Sequence, residues 1–192
     1  LIEHKYGQGV TVLPGGIHAL IGGVDLFFVI SGFIMVTVIG GVPWKRFLID
    51  RVTRIYPPYW IYTTAVLFVF LAAPALVNSS YPHPPSLLRS YLLWPDSVPP
   101  LLAVGWTLIH EMYFYLCFAL IIFLMTRTKI SLAPWLSAWA TLVVVMNDVV
   151  NTYDLHSPVV DVVTHPLTLE FIAGASVGLM LNSGIAMLCL PV

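Results

Sequence analysis

Residues 106–125 read WTLIHEMYFYLCFALIIFLM. The only acid or base among them, histidine aside, is Glu111. An α-helix needs about 20 mostly apolar residues to cross a hydrocarbon core about 30 Å thick. This stretch is that long, and it lacks the alternation of apolar and polar residues expected of a barrel strand. It therefore predicts a membrane-spanning helix, and it does not stand alone. Val24–Val42, Tyr59–Val77, Leu132–Val150 and Leu167–Leu190 have the same character, the last interrupted by Asn182, Ser183 and Gly184. A helix is expected for each, because an open strand leaves its backbone unsatisfied in lipid.

Composition points the same way. Of the 192 residues, 59% are hydrophobic and 9% charged, and the mean hydropathy is +0.92. A soluble domain has about 45–50% apolar and about 25% charged residues. The excess apolar surface belongs against a bilayer. A net charge of -1 and the lack of a long basic stripe argue against a nucleic-acid partner. Cys117 and Cys189 both sit in apolar runs and read as buried free thiols. The six histidines show no ligand spacing with one another or with cysteine, so no metal is expected. The expected fold is an all-α polytopic transmembrane bundle.

The cations set a topology. Lys45, Arg46, Arg51 and Arg54 fall between the first two spans, and Arg127 and Lys129 between the third and fourth. Only Lys5 and Arg89 fall on the other side. Basic residues concentrate in cytoplasmic loops, so Pro43–Pro58 and Arg127–Ser131 are expected to face the cytoplasm. The segment with Asp148, Asp154 and Asp161 and the loop Asn78–Gly105, with its six prolines, then face outward. Within that loop, Ser86–Trp94 reads as a short interfacial or re-entrant helix. Pro57 and Pro58 are expected to end the basic segment and set the start of the second span. Tyr56, Tyr59 and Trp60 are then expected at headgroup level on the cytoplasmic side.

Acids at membrane depth are costly and are candidates for function. Asp25, Glu111 and Glu170 are the three. Asp25 equally suits the N-terminus of a helix, where an acid is favoured by the dipole. Glu111 lies inside an apolar helix and calls for a partner. His110 adjoins it on a different helix face. Ser31-Gly32 and Gly174-x-x-x-Gly178 provide small faces for close helix packing. Arg51 and Arg54, three apart on one face, could grip an anion bidentately.

Four stretches in order, GGVDLFFVISGFIM, FLIDRVTRIYPPYW, GWTLIHEMYFYLCF and HPLTLEFIAGASVG, resemble the acyltransferase 3 family over about Val24–Gly178. The exopolysaccharide-production branch is the most similar. The family comprises bacterial multi-spanning O-acyltransferases that modify glycans on a domain of about ten spans. The resemblance thus implies that residues 1–192 form part of one such domain, with about five spans visible. The family's first helix carries an arginine followed ten residues on by a histidine. LIEHKYGQG resembles the end of that helix and puts His4 in the histidine's place; the arginine is not in this sequence. The resemblance also puts the family's Arg-x-x-Arg motif on Arg51 and Arg54, and the carboxylate of its third motif on Glu111.

The resemblance implies transfer of an acyl group, usually acetyl, from cytoplasmic acyl-CoA to a hydroxyl of a glycan or lipid-linked saccharide, at the bacterial inner membrane. Arg51 and Arg54 would hold the coenzyme A phosphates. His4 would act as general base or carry the acyl group, oriented by Glu111 or Asp25. Two other readings stay open on the residues alone: a transporter of a glycan or lipid-linked substrate, since intramembrane acids also line transport paths, and an inactive truncated homologue.

Overall fold

A computed structural model describes residues 16–77 and 84–188, with side chains for 22–74, 76–77 and 84–182. His4 lies outside the described residues. The order is α1 (Gly16–Val38), α2 (Trp44–Ala72), a 3-10 turn at Pro74–Leu76, α3 (Leu87–Leu92), α4 (Gly105–Thr128), α5 (Leu132–Tyr153), α6 (Pro158–Val163) and α7 (Leu167–Leu188). No strand occurs among the described residues. Four segments are long and apolar enough to cross a membrane: Trp44–Ala72, Gly105–Thr128, Leu132–Tyr153 and Pro158–Asn182. The first helix adds a shorter apolar stretch, Gly22–Val38. The expected helical membrane bundle is the observed architecture.

Side-chain pairings give the register. Trp44 meets Phe123 at 5.8 Å between ring centroids, and Phe47 meets Phe118 at 5.9 Å. Farther along, Tyr59 packs with Ile109. So α2 and α4 run antiparallel, and the cations at the start of α2 and the end of α4 gather at one basic end. By contrast α1 and α7 run parallel, and they form the most extensive helix pair. Gly32 faces the Phe171 carbonyl, Gly174 the Val29 carbonyl and Gly178 the Phe33 carbonyl. The small residues singled out in the sequence do bring two backbones together. Phe28, Phe114 and Phe171 join α1, α4 and α7 in the core, with Phe28–Phe114 at 5.2 Å and Phe114–Phe171 at 4.7 Å.

Three expectations need correction. First, α2 begins at Trp44 and runs straight through Pro57 and Pro58. The basic segment is the first half of a helix, not a loop. Each proline removes one backbone donor and disfavours helix at the residue before it. Here packing of Phe47 and Arg51 on α4 before the prolines, and hydrogen bonds from Tyr59 and Trp60 after them, hold the helix on both sides. Second, Tyr56, Tyr59 and Trp60 are not at the basic end. Tyr56 Oη donates to the Leu92 carbonyl at 2.9 Å, Tyr59 Oη to Ser90 at 2.7 Å, and Trp60 Nε1 to Tyr91 at 2.9 Å. These carbonyls belong to the last turn of α3, where the regular i+4 donors are missing. Third, α7 continues through Asn182, Ser183 and Gly184 without a break.

The short helix expected in Ser86–Trp94 is α3, and Ser86 caps it by accepting from the Arg89 N–H. Thr64, which meets the Tyr91 hydroxyl at 2.8 Å, lies eight residues before the end of α2. The proline-rich loop therefore folds back along α2 by about 12 Å. Ser90 Oγ accepts from the Leu101 N–H at 3.0 Å and ties the loop's second half to its first. Tyr59 is 3% exposed, and the Ser90 carbonyl keeps the Leu93 N–H as a second partner. Tyr59→Phe is thus expected to cost about 1 kcal/mol of stability, one net hydrogen bond. Thermal unfolding in detergent measures it, and an unchanged midpoint would refute the latch.

Candidate functional site

The polar core of the bundle lies between α2 and α4. Arg51 is one of the few charged side chains buried there, at 7% exposure. Phe47, one turn earlier, and Tyr115 on α4 flank its guanidinium, with ring centroids 5.5 and 5.8 Å from its carbon. Such cation–π contacts favour a desolvated arginine. Its buried Nε donor has no hydrogen-bond partner.

Glu111 is 8% exposed and accepts a short hydrogen bond from the Tyr115 hydroxyl. The two are four apart, so they stack along one face of α4. Arg54 and Arg51 both lie within electrostatic reach of Glu111 and Tyr115. Burying a carboxylate is costly without such partners. The tyrosine hydroxyl and the two positive charges offset part of that cost.

This arrangement changes the expected division of the site. The sequence placed the arginines in a cytoplasmic loop, far from Glu111. The antiparallel register of α2 and α4 brings them level with it. Arg51 is seven residues from Trp44, so it sits about 10 Å in from the basic end. Arg54 is exposed and lies one turn farther along, level with Glu111. A pair of guanidiniums, one buried and one reachable, with one buried donor unmet, is suited to an anion.

Asp25 sits elsewhere. It is half-buried on α1, within electrostatic reach of Glu170 on α7. His110 lies on a different face of α4 from Glu111, against Phe28 at 6.2 Å and Trp106 at 5.9 Å. Among the described residues no cluster of three potential metal ligands occurs. The structure brings Arg51, Arg54 and Glu111 together and leaves Asp25 apart. Sequence reasoning missed the part of Tyr115. The four-residue spacing from Glu111 was the available signal.

A helical membrane bundle that encloses arginine, glutamate and tyrosine in its apolar interior defines a polytopic membrane protein with an internal polar site. The chain belongs to the acyltransferase 3 family: the family's acyltransferase domain matches residues 17–185. It is also similar to the exopolysaccharide production protein ExoZ of Rhizobium meliloti (strain 1021), with 37% identity over 175 residues. That match covers 85% of this chain and 52% of ExoZ, so the chain spans about half the length of that relative. No solved structure matches the chain.

Proposed function

We propose that the whole protein transfers an acyl group, acetyl in the first instance, from acyl-CoA to a hydroxyl of an exopolysaccharide glycan or its lipid-linked precursor, at a bacterial inner membrane. The observation that carries this reading is the Arg51–Arg54–Glu111–Tyr115 assembly inside a fold of the acyltransferase 3 family. Arg51 and Arg54 bind the phosphates of coenzyme A by charge-assisted hydrogen bonds. The short path from the basic end to Arg51 supports delivery of the donor from the cytoplasmic side. The depth of the arginines supports a thioester carried well into the bundle along its pantetheine arm.

His4 takes the proton of the acceptor hydroxyl as general base, or carries the acyl group transiently. Glu111, beside the arginines, or Asp25, on α1, orients that imidazole. The name of ExoZ supports a glycan acceptor for this chain as well. The test is transfer of radiolabelled acetyl from acetyl-CoA to membrane glycan by the full-length protein and by its His4→Ala variant. The expected result is transfer by the former, a loss of about 100-fold or more in the latter, and equal acetyl-CoA binding in both. Full activity of His4→Ala would remove His4 from the chemistry. No transfer by the unaltered protein would overturn the reading.

A further inference from the structure

A second polar assembly lies on a different face of α4. His110 is 6% exposed. Its Nδ1 is 2.9 Å from the Trp106 carbonyl. A carbonyl only accepts, so Nδ1 carries the hydrogen and Nε2 is a bare acceptor. That Nε2 is buried and has no hydrogen-bond partner. Leaving such an acceptor unmet costs about 1–3 kcal/mol.

Facing it is His165, in the link between α6 and α7, with ring centroids 4.9 Å apart. The Leu167 N–H donates to His165 Nδ1 at 3.2 Å, so the hydrogen of that ring is on Nε2. The two imidazoles are held in fixed and different tautomers by backbone groups. One turn before His165 lies Asp161, whose Oδ1 is 2.8 Å from His156 Nδ1. Side-chain exposure is 38% at His156 and 25% at Asp161. His156 and Asp161 thus lie toward water, and Asp161 is within electrostatic reach of His165. The titratable groups on the elements packed against the His110–His165 pair include Asp25 on α1, Glu111 and Tyr113 on α4, and Glu170 on α7. Tyr113 is committed as a donor to the Val163 carbonyl. From α5 comes Asn147, which donates to the Thr164 carbonyl and does not titrate.

We propose that the His110–His165 pair is the proton store of the acyl transfer: His110 Nε2 takes up the proton that the acceptor hydroxyl loses, and Asp161 and His156 pass it to water at the acidic end. This rests on the acyl-transfer reading and leaves His4 the acyl-carrying role. The hydroxyl oxygen bonds the acyl carbon as that carbon's bond to its carrier breaks, the carrier being the coenzyme A sulfur or the His4 nitrogen. The carrier keeps the electron pair. The hydroxyl proton goes to His110 and then to water. Two imidazoles this close resist a second charge, so the pair holds one proton at a time.

The experiment measures acetyl transfer by the full-length protein against pH. The unaltered protein is expected to lose activity on the acid side, where His110 already holds a proton. His110→Gln is expected to lower kcat by about 100-fold, to abolish that acid limb and to leave the KM for acetyl-CoA unchanged. In His110→Ala, added imidazole is expected to restore rate in proportion to its neutral fraction. Pyrrole, of similar shape but not a base, is expected to restore none. Equal rescue by pyrrole, or a wild-type kcat and acid limb in His110→Gln, would overturn the proposal while transfer itself stands. Absence of transfer by the unaltered protein would overturn both.

Discussion

Replacing Arg51 with alanine in the full-length protein is expected to weaken acetyl-CoA binding by about 10- to 100-fold, the worth of charge-assisted bonds to a phosphate. Transfer falls at least as much. Arg51→Lys does not restore it. An ammonium carries the charge but has neither the planar fork for bidentate contact nor the flat face that packs between Phe47 and Tyr115. Arg54→Ala is expected to have the smaller effect, because that side chain is exposed and its charge is screened by water. Radiolabelled acetyl-CoA binding to purified protein in detergent makes the comparison. Unchanged binding in Arg51→Ala would show that the buried arginine serves only Glu111 and Tyr115. The loss of Glu111's counter-charge in that case would appear as lower thermal stability with intact affinity.

Gly174→Val is expected to open the seam between α1 and α7 and to destabilise the protein by about 3 kcal/mol or more, the upper range for overpacking. A Cβ at Gly174 would overlap the Val29 carbonyl, and one at Gly32 would overlap the Phe171 carbonyl. Backbone cannot step aside as a flexible side chain can. Gly178→Ala is the graded control: its Cβ would lie 3.1 Å from the Phe33 carbonyl oxygen, so a slight shift accommodates it. At Gly22 a Cβ meets nothing within 4 Å, and alanine there is expected to leave stability the same or slightly higher. Unfolding midpoints in detergent should fall in that order. Equal midpoints for Gly174→Val and Gly22→Ala would refute the close approach of the two helices.

Much of the fold was legible because hydropathy is a local signal with a known length. The span at 106–125 became α4 (Gly105–Thr128) with its ends moved by few residues. The glycines on α1 and α7 were legible for a similar reason, since a small face inside lipid has few uses besides close packing. What failed was the reading of Tyr56-Pro57-Pro58-Tyr59. The rule that prolines end helices is local. Here contacts far along the chain, Tyr56 and Tyr59 to α3 and Arg51 to Tyr115, decided the outcome. Once the helix is extended back to Trp44, the depth of the arginines changes with it, and so does the shape of the site. The His110–His165 pair was beyond reach for a plainer reason: its members are 55 positions apart in the numbering, and nothing in either neighbourhood announces the other.

The latch between α2 and α3 has a mechanical meaning. Tyr56, Tyr59, Trp60 and Thr64 hold the folded-back loop by hydrogen bonds, and Arg51 and Arg54 project from the same helix below them. Because α2 is one unbroken helix, the turn that carries Arg51 and Arg54 and the turns that hold the folded-back loop belong to a single element. The arginines and the loop therefore share one support, and the latch fixes the position of both.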